Sequence, residues 1–114
     1  MTENTRSIED CKAASLAAEN LNVKTRFEFD VVYAGATYQA DPASYSEILA
    51  AIAQTQLPDN FYWVDKNNNK VSMTKTNLQE LALLVQTERF RIFDAHQNRK
   101  AQIRNATEIS QLFE

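Results

Sequence analysis

The sequence is poor in the residues that many reactive protein sites require. Its 114 residues include one cysteine (Cys11), one histidine (His96), one glycine (Gly35) and two prolines. A single cysteine excludes an internal disulfide bond, and one cysteine with one histidine cannot by themselves hold a zinc ion. A single glycine excludes the glycine-rich loops that cradle phosphate groups. These shortages argue against several classes of enzyme and cofactor-binding protein.

Long apolar runs and export signals are also missing from the sequence. No run approaches the roughly 18 apolar residues that a membrane-spanning helix needs. The first six residues contain neither the basic nor the apolar region of a signal peptide. Hydrophobic residues make up 44% and charged residues 24%, as in ordinary globular proteins. We therefore expect one soluble, unexported domain that spans residues 1–114 and makes no membrane contact.

Charge is unevenly distributed along the chain. Residues 1–65 carry ten acidic and four basic side chains, whereas residues 66–114 carry five acidic and eight basic ones. The candidate basic patch consists of Arg89, Arg91, Arg99, Lys100 and Arg104. Such a patch indicates either a footprint for nucleic acid or an acidic partner, or a solvated helix end whose cations complement the helix dipole. The isoelectric point of about 5.2 makes nucleic acid the less favoured partner.

Hydrophobic periodicity predicts an α+β fold with the element order α-ββ-α-ββ-α-α. The two β-hairpins are expected to form an antiparallel sheet packed against helices, the penultimate of which is long. The predicted bounds are a helix over 7–20, a hairpin over 25–40, a helix over 42–56, a hairpin over 60–73, a long helix over 75–104 and a short terminal helix over 106–113.

Turn and capping residues mark the ends of these elements. Gly35 suits the tight turn of the first hairpin, and the asparagine-rich segment 66–70 suits the second. Asn20 or Asn22 offers a stop for the first helix. The predicted N-caps are Asp41 before Pro42, Thr74 with Asn77 at position N3, and Asn105 with Glu108 at position N3.

The aromatic strand at residues 61–65 has two faces. Alternation places Phe61 and Trp63 on one face, which we expect to be buried together with Val71 and Met73. It places Tyr62 and Val64 on the outer face. These two outer residues are candidates for contact with another protein.

Candidates for catalysis or metal binding are few. Cys11 lies in a helix of small residues without a catalytic signature, and His96 is expected on a helix face beside Arg99 and Lys100, whose charges would favour neutral imidazole. The spacing of Asp65, Asn67 and Asn69 is faintly like a calcium loop, but the required glycine and terminal glutamate are absent. The sequence therefore indicates no catalytic, cofactor-binding or metal-binding residue.

The long helix carries more apolar residues than one packing face requires. A three-four spacing assigns one stripe to the core, namely Leu78, Leu81, Val85 and Ile92. Leu83, Phe90 and Phe93 lie outside that stripe. They predict either burial by the terminal helix or a surface for another chain, which includes self-association into a homo-oligomer.

Several segments together resemble a known family. These are Trp63-Val64-Asp65 before the asparagine-rich turn, Val71-x-Met73-Thr74 before the long helix, the Gly35, Tyr38 and Asp41 pattern, and Asn105 to Glu108. Over roughly residues 12–113 the chain resembles a domain-of-unknown-function family of tailed bacteriophages and prophages. Members of that family are often described as tail-fibre-associated or tail-fibre-assembly proteins.

The resemblance implies a non-enzymatic accessory protein that binds a phage tail or tail-fibre component. It would act in the cytoplasm of the bacterial host during assembly or remain in the virion. No catalytic residues or cofactors are carried over from the family. The alternative hypothesis is a small nucleic-acid-binding or host-directed inhibitory phage protein that uses the basic end of the long helix, and an enzyme is the third.

Overall fold

The chain folds into α-helices and β-hairpins, and the computed structural model describes residues 7–113. The α+β class and the predicted order of helices and hairpins are confirmed. The elements are α1 (Ile8–Arg26), β1 (Asp30–Tyr33), β2 (Ala36–Gln39), α2 (Pro42–Ile52), β3 (Tyr62–Val64), β4 (Lys70–Ser72), α3 (Lys75–Asn105) and a terminal 3-10 helix (Ile109–Phe113).

Two compact units make up this part of the chain. Phe27–Phe90 form one unit, which we call the hairpin unit, and residues 7–26 with 91–113 form the other, which we call the terminal unit. Helix α3 supplies residues to both. The single domain expected over residues 1–114 stays a prediction.

The first hairpin turns as its only glycine predicts. Tyr33 pairs with Ala36, so the loop contains only Ala34 and Gly35. Their φ angles of 50° and 83° are those of a type I′ turn, whose twist suits two-residue hairpins. Gly35 adopts the positive φ angle of the second turn position without strain, since glycine has no Cβ.

The second hairpin turns through the asparagine-rich segment. The Asp65 carboxylate accepts the backbone N–H groups of Asn67 and Asn69, both at 2.9 Å, and Asn68 adopts a φ of 65°. The carboxylate is thus used inside the turn, which is the structural role predicted for this segment.

The two hairpins form separate two-stranded sheets, whereas one sheet was expected. β1 pairs with β2 and β3 pairs with β4, both antiparallel. A backbone hydrogen bond of 2.7 Å from the Lys66 N–H to the Thr37 carbonyl links them. Because Lys66 belongs to the turn of the second hairpin, that turn meets the edge of β2 and no strand of β3–β4 lies alongside it.

Helix α1 is longer than predicted, since it continues through Asn20 and Asn22 to Arg26. Both asparagines are exposed, and the helix has a reason to continue because Glu19 and Val23 are buried on its inner face. The first hairpin consequently begins at Asp30, later than the predicted residue 25. Asparagine is only a weak stop when burial continues beyond it.

Helix α2 is shorter than predicted and ends at Ile52. Residues 53–56 are all exposed, so no apolar contact continues the helix. Asp41 stands at the N-cap before Pro42, but its side chain makes no capping hydrogen bond. The position of the N-cap at Asp41 was therefore predicted correctly, but the capping hydrogen bond of its side chain was not.

Helix α3 begins with the predicted capping pair. The Asn77 N–H donates to Thr74 Oγ1 at 3.1 Å, and the Thr74 N–H donates to Asn77 Oδ1 at 2.9 Å. Two N–H groups that the helix itself cannot satisfy are thereby paired.

The cap predicted for the terminal helix is wrong. Asn105 is the last residue of α3, and the terminal segment is a 3-10 helix that starts at Ile109. Gln111 Oε1 instead accepts the N–H groups of Thr107 at 2.6 Å and Glu108 at 3.0 Å. The side-chain oxygen of Gln111, from within the 3-10 helix, thus accepts the N–H groups that the Asn105 side chain was expected to cap.

The hairpin unit has a core in which both hairpins and α2 meet the inner side of α3. Its buried residues are Tyr38, Ala40, Ile48, Ala51, Met73, Leu78, Leu81, Ala82 and Val85. Trp63 packs against this core but is half-buried, so the expectation of full burial is corrected. Strand β3 has only three residues and belongs to a two-stranded sheet, so Trp63 has few neighbouring strand residues to cover it.

We expect Trp63→Ala to lower the free energy of unfolding by about 1–3 kcal/mol, less than the 3–5 kcal/mol typical of a fully buried aromatic residue. Urea unfolding followed by circular dichroism at 222 nm measures the loss. Tyr62→Ala on the outer face of the same strand is the control and should cost less. Native tryptophan emission at the wavelength of the free amino acid would contradict the packing of Trp63.

Candidate protein-contact surfaces

Helix α3 carries an apolar outer face, defined here by Leu83 and Phe90. Successive helical residues are rotated by about 100°, so residues seven apart share a direction, while Leu81 and Val85 point to the opposite side. Leu83 is 62% and Phe90 67% exposed, whereas Leu81 and Val85 are fully buried. The division between core stripe and surplus apolar residues is therefore as predicted within the hairpin unit.

Phe93 lies three residues beyond Phe90 and is 48% exposed. It belongs to the terminal unit. The 3-10 helix contributes Leu112 to the core of that unit, where Leu112 packs with Ile103 and Ala106. Ile109 of the same 3-10 helix is exposed, and the side chain of Phe113 lies outside the described residues.

The outer face of the second hairpin forms another candidate surface. Tyr62 and Val64 are exposed, as alternation predicts. They line a hollow of about 280 Å³ together with Trp63, Gln39, Ser44 and Glu47. Lys70 Nζ lies 5.0 Å from the centroid of the Tyr62 ring, a cation–π contact that holds the ring on this face.

A third surface was not found by sequence reasoning. It is a groove of about 350 Å³ between β1 and α3, and we call it the β1–α3 groove. Its lining residues are Phe29, Asp30, Val31, Val32, Leu84, Thr87 and Glu88. Val32 and Leu84 are exposed apolar residues that face this space. The packing of α3 beside β1 creates this groove, and no local sequence pattern indicates it.

Arg89 of the candidate basic patch lies within the hairpin unit, under aromatic rings. Its guanidinium carbon is 4.6 Å from the centroid of Phe27 and 5.1 Å from that of Tyr45. Its Nη1 atom is buried and has no hydrogen-bond partner among residues 7–113. Arg89 thus packs against Phe27, at the start of the hairpin unit, and against Tyr45 of α2.

The other basic residues of the patch do not share one helix face. Arg91 and Lys100 are nine residues apart in α3, which places them on opposite sides of the helix. Arg99 donates hydrogen bonds to the Leu112 carbonyl and, at 3.2 Å, to Gln102 Oε1. Guanidinium groups used in this way stabilise the terminal unit and are less available to phosphate groups.

A buried polar cluster in the terminal unit was also missed. His96 is 6% and Glu19 9% exposed, and His96 Nδ1 lies 2.7 Å from Glu19 Oε2. Arg26 donates a further hydrogen bond to the same carboxylate oxygen. The expected surface position of His96 beside Arg99 and Lys100 is therefore wrong, because the imidazole faces a carboxylate of α1. No local sequence signal indicates this pairing, since 77 residues separate the partners.

The pKa of the Glu19 carboxyl lies below its usual value. Burial by itself raises that pKa, but the hydrogen bonds with His96 and Arg26 and the positive charge of Arg26 lower it more. Glu19 is thus a carboxylate at neutral pH, and its charge is compensated inside the unit.

Metal-binding clusters and membrane-spanning helices are both absent from residues 7–113. No group of three or more His, Cys, Asp or Glu side chains that could hold a metal ion occurs within residues 7–113. None of the helices described there is both long and apolar enough to cross a membrane.

Comparison with known proteins places the chain in a family. A family model described as "Domain of unknown function (DUF4376)" matches residues 4–113. The chain belongs to the DUF4376 family. No curated protein and no solved structure matches it. The predicted resemblance to a domain-of-unknown-function family is confirmed, and the association with phage tails stays a prediction.

The described part of this DUF4376 chain therefore presents surfaces suited to contact. The outer face of α3, the outer face of the second hairpin and the β1–α3 groove all expose apolar side chains beside polar ones. Such mixed surfaces bind other proteins through a few apolar or aromatic anchors with a polar rim.

Proposed function

We propose that the chain is a non-enzymatic accessory protein that binds a tail or tail-fibre component during assembly of a phage or prophage particle. Binding takes place in the cytoplasm of the bacterial host, and the protein is then released or kept in the virion. The resemblance of residues 12–113 to a family of tail-fibre-associated proteins supports the choice of partner, and the exposed apolar surfaces support binding as the activity.

The observation that carries the proposal is the outer face of α3. Leu83 and Phe90 project from the side of the helix opposite the core and expose about two thirds of their surface. A buried phenylalanine removes on the order of 150–250 Å² from water, enough to anchor an interface. Leu84 lies about 100° further round the helix and is 41% exposed, so it extends the apolar surface around α3 toward the β1–α3 groove.

The surroundings of the single histidine and the single cysteine support a non-enzymatic role. His96 is buried and held by Glu19, an arrangement that stabilises a fold without offering the imidazole to a substrate. Cys11 is half-buried and packs against Ile103, Ala106 and Leu112. A nucleophilic cysteine needs a base within hydrogen-bond reach, and this one has apolar neighbours.

Co-expression with tail and tail-fibre proteins encoded beside the gene tests the proposal. The wild-type chain should co-purify with one of them, and Phe90→Asp should weaken that complex about tenfold or more, because a charge replaces the aromatic anchor. The melting temperature should barely change, since Phe90 is exposed in the folded chain. Leu49→Asp is the matched control, as Leu49 is an apolar residue of α2 that is 45% exposed.

Other outcomes would contradict parts of this proposal. Loss of folding in Phe90→Asp would place that side chain in a core. A complex that forms equally well with both variants would exclude the outer face of α3 as the binding surface. Binding to DNA or RNA with a steep salt dependence, together with no tail complex, would favour the alternative nucleic-acid function.

A further inference from the structure

Strand β1 has one edge without a backbone partner. The Ala40 N–H donates to the Phe29 carbonyl at 2.9 Å, which makes Phe29 and Ala40 a hydrogen-bonded pair of the antiparallel ladder. Such pairs alternate along a ladder, so the N–H and C=O groups of Asp30 and Val32 point away from β2. No backbone partner for these groups occurs among residues 7–113.

This free edge borders the β1–α3 groove. Leu84 and Thr87 of α3 form the opposite wall, and Phe29 and Val31 turn their side chains toward the core of the unit. The groove thus combines a row of unpaired backbone donors and acceptors with an apolar wall beside it. A segment in extended conformation satisfies both, as in domains that bind peptides by adding a strand to a sheet.

Charge specifies the segment further. Residues 27–90 carry eight acidic and four basic side chains, a net charge of −4. Exposed Glu28 and Asp30 are two residues apart on the outer side of the chain. Lys66 already compensates Asp30, so Glu28 is the carboxylate that a basic side chain of an added strand would meet. A neighbouring strand would place alternate side chains beside these carboxylates and the others toward Leu84. A segment in which basic and apolar side chains alternate would place the basic ones beside the carboxylates and the apolar ones toward Leu84.

A second copy of the chain matches this edge poorly. Pairing two β1 strands about a two-fold axis would bring the Glu28 carboxylates of both copies to the same outer face, where like charges on neighbouring strands are unfavourable. The edge also consists of only four residues. The charges therefore favour a different, basic polypeptide.

We propose that the β1–α3 groove binds an extended basic segment of a partner protein, about five residues long, in which apolar and basic side chains alternate, and that this segment pairs with the outer edge of β1. The proposal rests on the proposed function, because it names the kind of segment that the assembly partner presents. The two-stranded sheet then becomes three-stranded, which also stabilises it.

The probe is the acetylated and amidated peptide Val-Lys-Val-Lys-Val, added to the full chain and followed by NMR and isothermal titration calorimetry. It should bind, and the amide protons of Asp30 and Val32 should become protected from exchange. Two peptides serve as controls: one with every backbone amide N-methylated, which cannot donate to the edge, and one with glutamate in place of lysine. Both should bind about tenfold more weakly or worse.

A pair of variants tests the edge in the protein. Val32→Pro removes an N–H that points away from β2, so the ladder to β2 keeps its hydrogen bonds, and proline is tolerated at such edge positions. It should weaken peptide binding about tenfold relative to Val32→Ala, which keeps the N–H. Should Val32→Pro unfold, the exchange protection of Asp30 and Val32 in the wild-type chain still decides the question.

The possible results separate this proposal from the proposed function. Equal binding of the N-methylated peptide, absent protection at Asp30 and Val32, or peptide-independent dimerisation through β1 would each overturn the groove proposal. A tail complex that forms while the peptide does not bind would leave the proposed function in place and remove the groove from it. Edge protection by the peptide without any tail complex would support the groove and count against the tail partner.

Discussion

Leu81→Ala is expected to lower the free energy of unfolding of the hairpin unit by about 3–4 kcal/mol. Leu81 is fully buried in the core with Leu78, Val85 and Ile48. Truncation removes its apolar contacts and leaves a cavity, and the two costs add. Such a loss is a large part of the stability of an ordinary domain.

Trp63 provides the measurement, since it is the sole tryptophan and packs against the same core. Urea unfolding followed by its fluorescence should show a lower midpoint with an unchanged slope. Leu83→Ala is the matched control, because it makes the same change two residues away on the exposed side of α3. It should cost less than about 1 kcal/mol, and similar losses for the two variants would contradict the assignment of inner and outer faces.

Glu19→Ala is expected to destabilise the terminal unit by about 2–4 kcal/mol. The substitution removes the acceptor of both His96 and Arg26, and it leaves the buried imidazole without its partner. Urea unfolding followed by circular dichroism at 222 nm measures the loss. Glu9→Ala on the same helix is the control, because the Glu9 side chain is 78% exposed and its contact with Lys12, at 3.8 Å, should contribute little.

The same carboxylate should make stability depend on pH. The pKa of Glu19 is lower in the folded chain than in the unfolded one, so the unfolded state binds the proton more readily. The stabilisation is complete above the ordinary glutamate pKa and is lost as the pH falls through the lower, folded pKa. Glu19→Gln should reduce this acid loss. Identical acid profiles for wild type and Glu19→Gln would contradict the role of the charge.

The sequence predicted the local structure where neighbouring residues decide it. The turn at Gly35 and the reciprocal cap of Thr74 and Asn77 depend on residues within four positions of one another, and both are present as predicted. The inner and outer sides of α3 also followed from spacing, because helical periodicity assigns Leu81 to one side and Leu83 to the other.

Predictions failed where burial or a distant partner outweighs local preference. Helix α1 continues past Asn20 because Val23 is buried beyond it, and Trp63 remains half-buried because its strand is short. The cap at Asn105 was wrong because Gln111, from inside the following turn, satisfies the same N–H groups. Propensity is a weak signal at such positions, since tertiary contacts are worth more than a stop residue.

By itself the sequence determined the α+β class, the order of elements, the turn chemistry and the apolar surplus on α3. Only the tertiary structure decided that His96 pairs with Glu19, that Arg89 lies under Phe27 and Tyr45, and that β1 and α3 form a groove. Periodicity reports which way a side chain points from its own helix or strand. Periodicity contains no information about which distant residue that side chain contacts. The contact between His96 and Glu19 spans 77 residues and depends on how the whole chain packs.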